Sequence, residues 1–148
     1  MTVNQRIPHT IREQLLFVDT SAYYASIDRS DAHYKIAIKI FTLIEKEGLR
    51  PVTSNFVLAE SHTLIINNPR LGYWAARLFI EKINSSEKKP ERISENDEER
   101  AFQIIKTYSD KTFTYTDATS FALMERLGVR KAFTFDQHFA QYGFEIVV

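Results

Sequence analysis

Residues 15–22 read LLFVDTSA, and they contain the clearest strand signal in the chain. Its first four residues form a short apolar run, which is typical of a strand buried on both faces of a sheet. The run ends at Asp19, where the chain turns polar and a helix can begin. A buried strand that leads directly into a helix predicts an α/β fold built on a parallel sheet.

The rest of the chain continues this alternation of strands and helices. Further strands are predicted over residues 50–53, 131–135 and 144–148, and helices over about 31–47, 55–65, 69–83, 95–108 and 118–127. Side chains at helical spacing are predicted to face the core: Ile36, Ile40, Leu43 and Ile44; Trp74, Leu78 and Phe79; Ala101, Phe102, Ile105 and Tyr108; Phe121, Met124 and Leu127. We therefore expect a three-layer α/β/α domain with a central, mostly parallel sheet.

Length and composition limit the possible classes of protein. A chain of 148 residues with 44% hydrophobic side chains fits one domain, and the absence of cysteine excludes disulfides, zinc ribbons and thiol nucleophiles. Residues 1–14 are polar and form a predicted extension, and no apolar run suits a signal peptide or a membrane span. We expect a cytoplasmic protein. Because 19 basic residues balance 19 acidic ones, any contact with nucleic acid must use local patches.

Three aspartates lie at predicted junctions between elements. Asp19 follows the first strand, Asp117 stands at the start of a helix, and Asp136 follows the strand that contains Phe133 and Phe135. Each has an ordinary structural explanation: Asp19 and Asp117 can cap helices, and Asp136 can stabilise a turn. Taken singly, none of the three identifies a site.

Glu60 is harder to explain as a structural residue. It lies well inside a predicted helix and shares a helical face with Phe56, Val57 and Leu64, so it cannot be a cap. A carboxylate on an apolar face loses its hydration, which costs several kcal/mol unless a cation or a donor compensates. The alternatives are a buried ion pair with lysine or arginine and a metal site.

The topology of such a sheet brings these acids together. Parallel strands expose their carboxyl ends at one edge, where ligands bind, so Asp19 and Asp136 are expected there, with Asp117 and Glu60 pointing towards them. Four clustered carboxylates repel one another unless a divalent cation lies among them. Oxygen ligands suit Mg²⁺ or Mn²⁺, with Mg²⁺ the better fit. Metal ions held in this way hydrolyse phosphodiester bonds.

Four segments that contain these acids resemble the PIN-domain family, and within it the VapC-type toxin ribonucleases. They are FVDTSA (17–22), TSNFVLAE (53–60), FTYTDATSFALM (113–124) and AFTFDQHF (132–139). The resemblance implies a PIN domain over residues 15–148, with metal ligation and catalysis by Asp19, Glu60, Asp117 and Asp136. It also implies cleavage of single-stranded or looped RNA, an antitoxin that wraps the toxin and blocks its site, and a homodimer. Compact family members lack the extension at residues 1–14.

Two other functions remain compatible with the sequence. One is an RNA-processing PIN nuclease that has no antitoxin. The other is a non-catalytic module that binds RNA or protein, in which the acids cap helices and pair with arginine or lysine. No glycine-rich loop suited to binding phosphates is present, which argues against a nucleotide-binding enzyme.

Several secondary candidates accompany the acids. Ser21 and Ser120 could orient a carboxylate, although both also suit a helix start. Asp110 is expected in a loop. His62 and His138 each follow an acid by two positions, so in a helix their rings would point away from it. Arg70, Arg77, Tyr73 and Trp74 could contact RNA from one helical face, but a solvated face over core aromatics is the favoured interpretation.

Overall fold

The computed structural model describes residues 14–148, so nearly all of the predicted extension at residues 1–14 lies outside the described residues. Four strands and seven helices follow one another along the described part of the chain. The strands are β1 (Leu15–Val18), β2 (Arg50–Val52), β3 (Lys131–Phe133) and β4 (Glu145–Ile146). The helices are α1 (Thr20–Ile27), α2 (Tyr34–Glu47), α3 (Asn55–Asn67), α4 (Gly72–Ser85), α5 (Glu95–Thr107), α6 (Tyr115–Leu127) and α7 (His138–Tyr142).

The four strands form one sheet in the order β2-β1-β3-β4, and every neighbouring pair is parallel. Within β1, Phe17 lies opposite Val52 of β2 and opposite Ala132 of β3. All four β1 residues are buried because helices cover both faces of the sheet. The predicted three-layer α/β/α fold with a parallel sheet is confirmed.

Aromatic side chains hold the sheet to the helices near the chain's C-terminus. Phe17, Phe121, Phe133 and Phe139 are completely buried. The ring of Phe139 stacks 5.9 Å from that of Phe17 and meets Phe121 edge-on at 5.0 Å. Each such ring contributes about 1.5–3 kcal/mol by burial. This cluster fixes β1, α6 and α7 relative to one another, and their ends supply site residues.

Four helix ends lie at residue types that commonly cap helices. Gly48 and Gly128 end α2 and α6 in the left-handed conformation, with φ of 67° and 69°. Ser54 caps α3 by accepting a hydrogen bond from the backbone N–H of Val57. Ser94 begins α5 with a capping box that it shares with Asp97.

The predicted strand over residues 131–135 is two residues too long, since β3 ends at Phe133. Beyond Phe133 the backbone N–H groups bond to side chains instead of to a neighbouring strand. The N–H of Phe135 donates to Ser21 Oγ at 2.9 Å, and that of Asp136 donates to Thr134 Oγ1 at 3.0 Å. The last strand is likewise shorter than predicted, covering Glu145–Ile146. The chain therefore leaves the sheet just before the acid at position 136.

The apolar faces of three helices differ from the prediction. Six side chains that were predicted to face the core are exposed: Ile36, Leu43, Trp74, Leu78, Phe102 and Ile105. The buried positions on these helices include Ala37, Ala76, Ala101 and Ile104. Small alanine side chains let these helices pack closely, so the larger residues lie outside the contact. Helical spacing alone does not distinguish the two arrangements.

Helix α4 begins at Gly72 rather than at Pro69. The backbone oxygen of Asn68 accepts hydrogen bonds from Leu71 and Gly72, which makes a turn before the helix. Arg70 lies in that turn, so the expectation that it shares a helical face with Arg77 is wrong. Within residues 14–148, none of the helices combines the length and the apolar character needed to cross a bilayer.

Candidate active site

A cavity of about 280 Å³ opens where β1 and β3 end. Its lining includes all four predicted carboxylates, Asp19, Glu60, Asp117 and Asp136, and also Asp31. Among the described residues that line it there is no lysine or arginine. The structure thus brings the predicted acids to one place, together with a fifth that sequence reasoning missed.

Asp19 is the most deeply buried of these acids. Its Oδ2 accepts hydrogen bonds from Thr134 Oγ1 at 2.9 Å and from Ser21 Oγ at 3.1 Å. It occupies the N-cap position of α1 but makes no capping hydrogen bond with its side chain, so the capping explanation fails. Burial, the largest cause, and the nearby charge of Asp117 together raise the pKa of Asp19 to about 6, although hydrogen bonds from Thr134, the Thr20 backbone and Ser21 act to lower it.

Asp117 caps its helix and also faces the cavity. It is the third residue of α6, and its Oδ2 accepts a hydrogen bond from the N–H of Thr114 at 3.0 Å. In return, Thr114 Oγ1 accepts a hydrogen bond from the N–H of Asp117 at 3.1 Å. The helix therefore starts two residues before Asp117, earlier than predicted. The capping explanation is correct, and it leaves the carboxylate fixed at the cavity wall.

Asp136 and His138 form a group of contacting side chains with Asp117. Asp136 Oδ1 accepts the N–H of His138 at 2.9 Å, which confirms its role in a turn. His138 Nδ1 lies 2.8 Å from Asp117 Oδ2 and 3.4 Å from Asp136 Oδ1. One potential ligand atom from each of the three residues lies within 4.8 Å of the others. The expectation that His138 points away from the acid two positions before it assumed a helix, and it does not hold because Asp136 precedes α7.

Glu60 projects from α3 into the cavity and is half-buried. The apolar face that was predicted around it is only partly buried, because Leu64 is 47% exposed. Across residues 14–148, no lysine or arginine forms an ion pair with Glu60. The ion-pair alternative is therefore not supported for the described chain.

The secondary candidates separate clearly. Ser21 contacts Asp19 and Thr134 and so supports the site, whereas Ser120 donates to the Thr116 carbonyl inside its own helix. Asp110 is 75% exposed and lies beside Lys111. Thr134, Asp31 and His33 at the site were not predicted. Their only signal in the sequence is proximity to a predicted acid or to the start of a helix.

The donors around the cavity fit a divalent cation. Carboxylate oxygens are hard ligands, and among the described residues of the lining no lysine or arginine offsets their mutual repulsion. A second observation points the same way. Thr20 lines the cavity and is buried, and its hydroxyl has no hydrogen-bond partner within the described chain. A buried hydroxyl without a partner is costly and suits a site that receives a ligand.

Comparisons with known proteins agree with this fold. The family described as PIN domain matches residues 16–145. The chain is 33% identical over 132 residues to the 23S rRNA-specific endonuclease VapC20 of Mycobacterium tuberculosis, in strains H37Rv and CDC 1551, covering 88% of this chain and 95% of the relative. The crystal structure of M. tuberculosis VapC20, a sarcin-ricin loop cleaving toxin, matches with a TM-score of 0.76 and 31% identity, covering 87% and 95% of the two chains. The resemblance inferred from the four acidic segments is confirmed, and the chain belongs to the PIN-domain family.

Proposed function

We propose that this chain is a magnesium-dependent endoribonuclease that hydrolyses RNA phosphodiester bonds, and that it is the toxin of a VapBC-like type II toxin-antitoxin system. One observation carries the proposal: Asp19, Glu60, Asp117 and Asp136 line a single cavity. The similarity to the VapC20 endonuclease supports RNA as the substrate.

We assign these four carboxylates as catalytic residues that hold the metal ion. Their oxygen donors suit Mg²⁺, and Mn²⁺ is an alternative with the same preference for oxygen. When bound, such an ion supplies Lewis-acid chemistry: it polarises a phosphoryl oxygen, assists ionisation of the attacking water and stabilises the leaving oxygen. The chain then needs no nucleophilic side chain.

The protein's own groups fix the carboxylates before any ligand arrives. Thr134 and Ser21 hold Asp19 Oδ2, and the capping box with Thr114 holds Asp117. His138 contacts both Asp117 and Asp136. Because neighbouring groups hold three of the four carboxylates, those of Asp19, Asp117 and Asp136, binding a cation requires little rearrangement of them. The excess negative charge repels phosphate, so RNA binding depends on the cation.

The substrate and its partners follow from the same relatives. We propose looped or single-stranded RNA as the substrate, with the sarcin-ricin loop of 23S rRNA as the first sequence to test. We also propose that an antitoxin protein binds over the cavity and blocks it, and that the chain forms a homodimer. We place the PIN domain at residues 15–148 and treat residues 1–14 as an extension of it. Since the proposed substrate is RNA, we expect the protein to act in the cytoplasm.

A matched pair of substitutions tests the catalytic assignment. Asp97 and Asp117 occupy the same position in two capping boxes, but Asp97 pairs with Arg126 at 2.9 Å instead of facing the cavity. We expect Asp117→Asn to lower Mg²⁺-dependent RNA cleavage at least ~100-fold. Asp97→Asn should keep full cleavage while losing about 1–3 kcal/mol of stability.

Cleavage of a sarcin-ricin loop RNA by the purified protein, followed by mapping of the cut, provides the measurement. Equal cleavage in excess EDTA, or equal activity of the Asp117→Asn and wild-type proteins, would contradict the metal mechanism. Absence of both cleavage and Mg²⁺ binding would favour the non-catalytic alternative. Cleavage by a chain that no antitoxin inhibits would favour the RNA-processing nuclease.

A further inference from the structure

Two aromatic rings stack at the same cavity in an arrangement that the metal site does not require. His33 stands immediately before α2 and Phe135 follows β3, and both line the cavity. Their ring centroids are 4.3 Å apart with an angle of 14° between the planes. We infer that the His33–Phe135 pair is a stacking site for an unpaired nucleobase of the RNA beside the cleaved bond. This inference rests on the proposed function.

The pair is held in place from both sides. Asp31 Oδ1 accepts the backbone N–H of His33 at 2.8 Å and lies 3.5 Å from its Nδ1. Phe135 packs edge-on against the buried ring of Phe133 at 5.8 Å, and its N–H donates to Ser21. Both rings are therefore fixed relative to the carboxylates.

The imidazole keeps room for another ring. With one side of His33 stacked on Phe135, its side chain is still 51% exposed. A base placed there would extend a stack that already contains two rings, and stacking of bases on aromatic side chains is a main source of affinity in single-strand binding. Proteins that act on looped RNA commonly hold unstacked bases in this way.

The chemistry of the surroundings favours a base over a phosphate. The acids of the cavity repel phosphate, and Asp31 beside His33 adds a negative charge. The non-acidic part of the lining includes the side chains of Tyr24 and Leu64. The Tyr24 hydroxyl is already engaged with Asp28 and Asn68, so this residue offers mainly its ring. An uncharged aromatic group is the ligand that these neighbours accept best.

Substitutions at position 33 separate stacking from other roles. We expect His33→Ala and His33→Gln to raise KM for a sarcin-ricin loop RNA about 5- to 100-fold, with kcat changed less than about threefold. His33→Trp should keep KM within about threefold of the wild-type value, because it restores an aromatic face. Trp74→Ala is the matched control, since Trp74 is a 67% exposed aromatic residue that is not part of the cavity lining.

Binding is measured separately in the Asp117→Asn background with Mg²⁺. The probes are short single-stranded RNAs with 2-aminopurine at one position, moved along the sequence, whose fluorescence falls when the analogue stacks. We expect quenching at one position next to the cleaved bond, lost in His33→Gln and kept in His33→Trp. Circular dichroism and thermal melting establish that each variant is folded, and if His33→Ala is not, the Gln and Trp variants decide.

The outcomes distinguish this inference from the proposed function. If the wild-type protein cleaves RNA but His33→Gln has an unchanged KM and unchanged quenching, the stacking site is wrong and the nuclease assignment stands. A larger effect from Trp74→Ala than from His33→Gln would place base stacking on α4 and also overturn the inference. If the wild-type protein neither binds nor cleaves RNA, the proposed function itself fails.

Discussion

His138 Nδ1 lies 2.8 Å from Asp117 Oδ2, and this contact joins the start of α7 to the start of α6. On its other side the ring contacts Thr112 through Nε2 at 3.2 Å, so both nitrogens have a neighbour. An imidazole held in this way fixes the orientation of the carboxylate that it touches, and such neighbours tune metal binding.

We expect His138→Gln to weaken Mn²⁺ binding ~10- to 100-fold, because Asp117 and Asp136 lose the ring that orients them. Isothermal titration calorimetry on the purified protein gives the affinity. His62→Gln is the matched control, since His62 also follows a predicted acid by two positions, but within residues 14–148 it forms none of the carboxylate contacts that His138 makes. Equal Mn²⁺ affinities for the two variants would show that His138 has no such role.

The two histidines also show why sequence reasoning succeeded at one position and failed at the other. His62 lies inside α3 with Glu60, so the helical periodicity that separates residues two apart applies to it. Asp136 precedes α7, and its carboxylate accepts the N–H of His138 in a turn. The same spacing therefore brings acid and ring together. Sequence spacing predicts side-chain direction only where the local backbone is known.

The acids and the sheet were predictable, whereas the packing of the helices was not. A buried apolar run before Asp19 and capping residues before and after the helices specify strand and helix ends locally. Which helical face is buried depends on the neighbouring helix, and Ala76 is buried where Trp74 had been expected. Glu60 was placed in the site for a partly wrong reason, because its neighbour Leu64 is exposed.

Glu60→Gln offers a test of charge with little structural change, since the described residues make no hydrogen bond to this side chain. In the metal-free protein we expect the melting temperature to stay the same or rise, because one repulsive charge is removed. Mg²⁺-dependent cleavage and Mn²⁺ affinity should fall at least ~10-fold. Asp110→Asn removes an exposed acid outside the cavity and should change neither Mg²⁺-dependent cleavage nor Mn²⁺ affinity. A large loss of stability in Glu60→Gln without loss of metal affinity would argue for a structural role.

The raised pKa of Asp19 makes the stability of the metal-free protein depend on pH. Because the pKa rises from 3.8 unfolded to about 6 folded, the folded state binds more protons between these values. Asp19 thus contributes stability that is fully present below about pH 4 and is lost as pH rises through about 6, a change of about 3 kcal/mol. Urea denaturation in EDTA from about pH 4 to about pH 8 measures this loss.

Two variants identify Asp19 as the source of that pH dependence. Asp19→Asn should remove the part of the pH dependence of the unfolding free energy that comes from Asp19. The stability of this variant relative to wild type should therefore improve as pH rises. Thr134→Val deletes the hydroxyl that donates to Asp19 Oδ2 and favours its ionised form, so the midpoint of the loss should move to higher pH. Mg²⁺ competes with the proton for the carboxylate and should flatten the wild-type profile but not that of Asp19→Asn. Identical profiles for wild type and Asp19→Asn would mean that another group titrates.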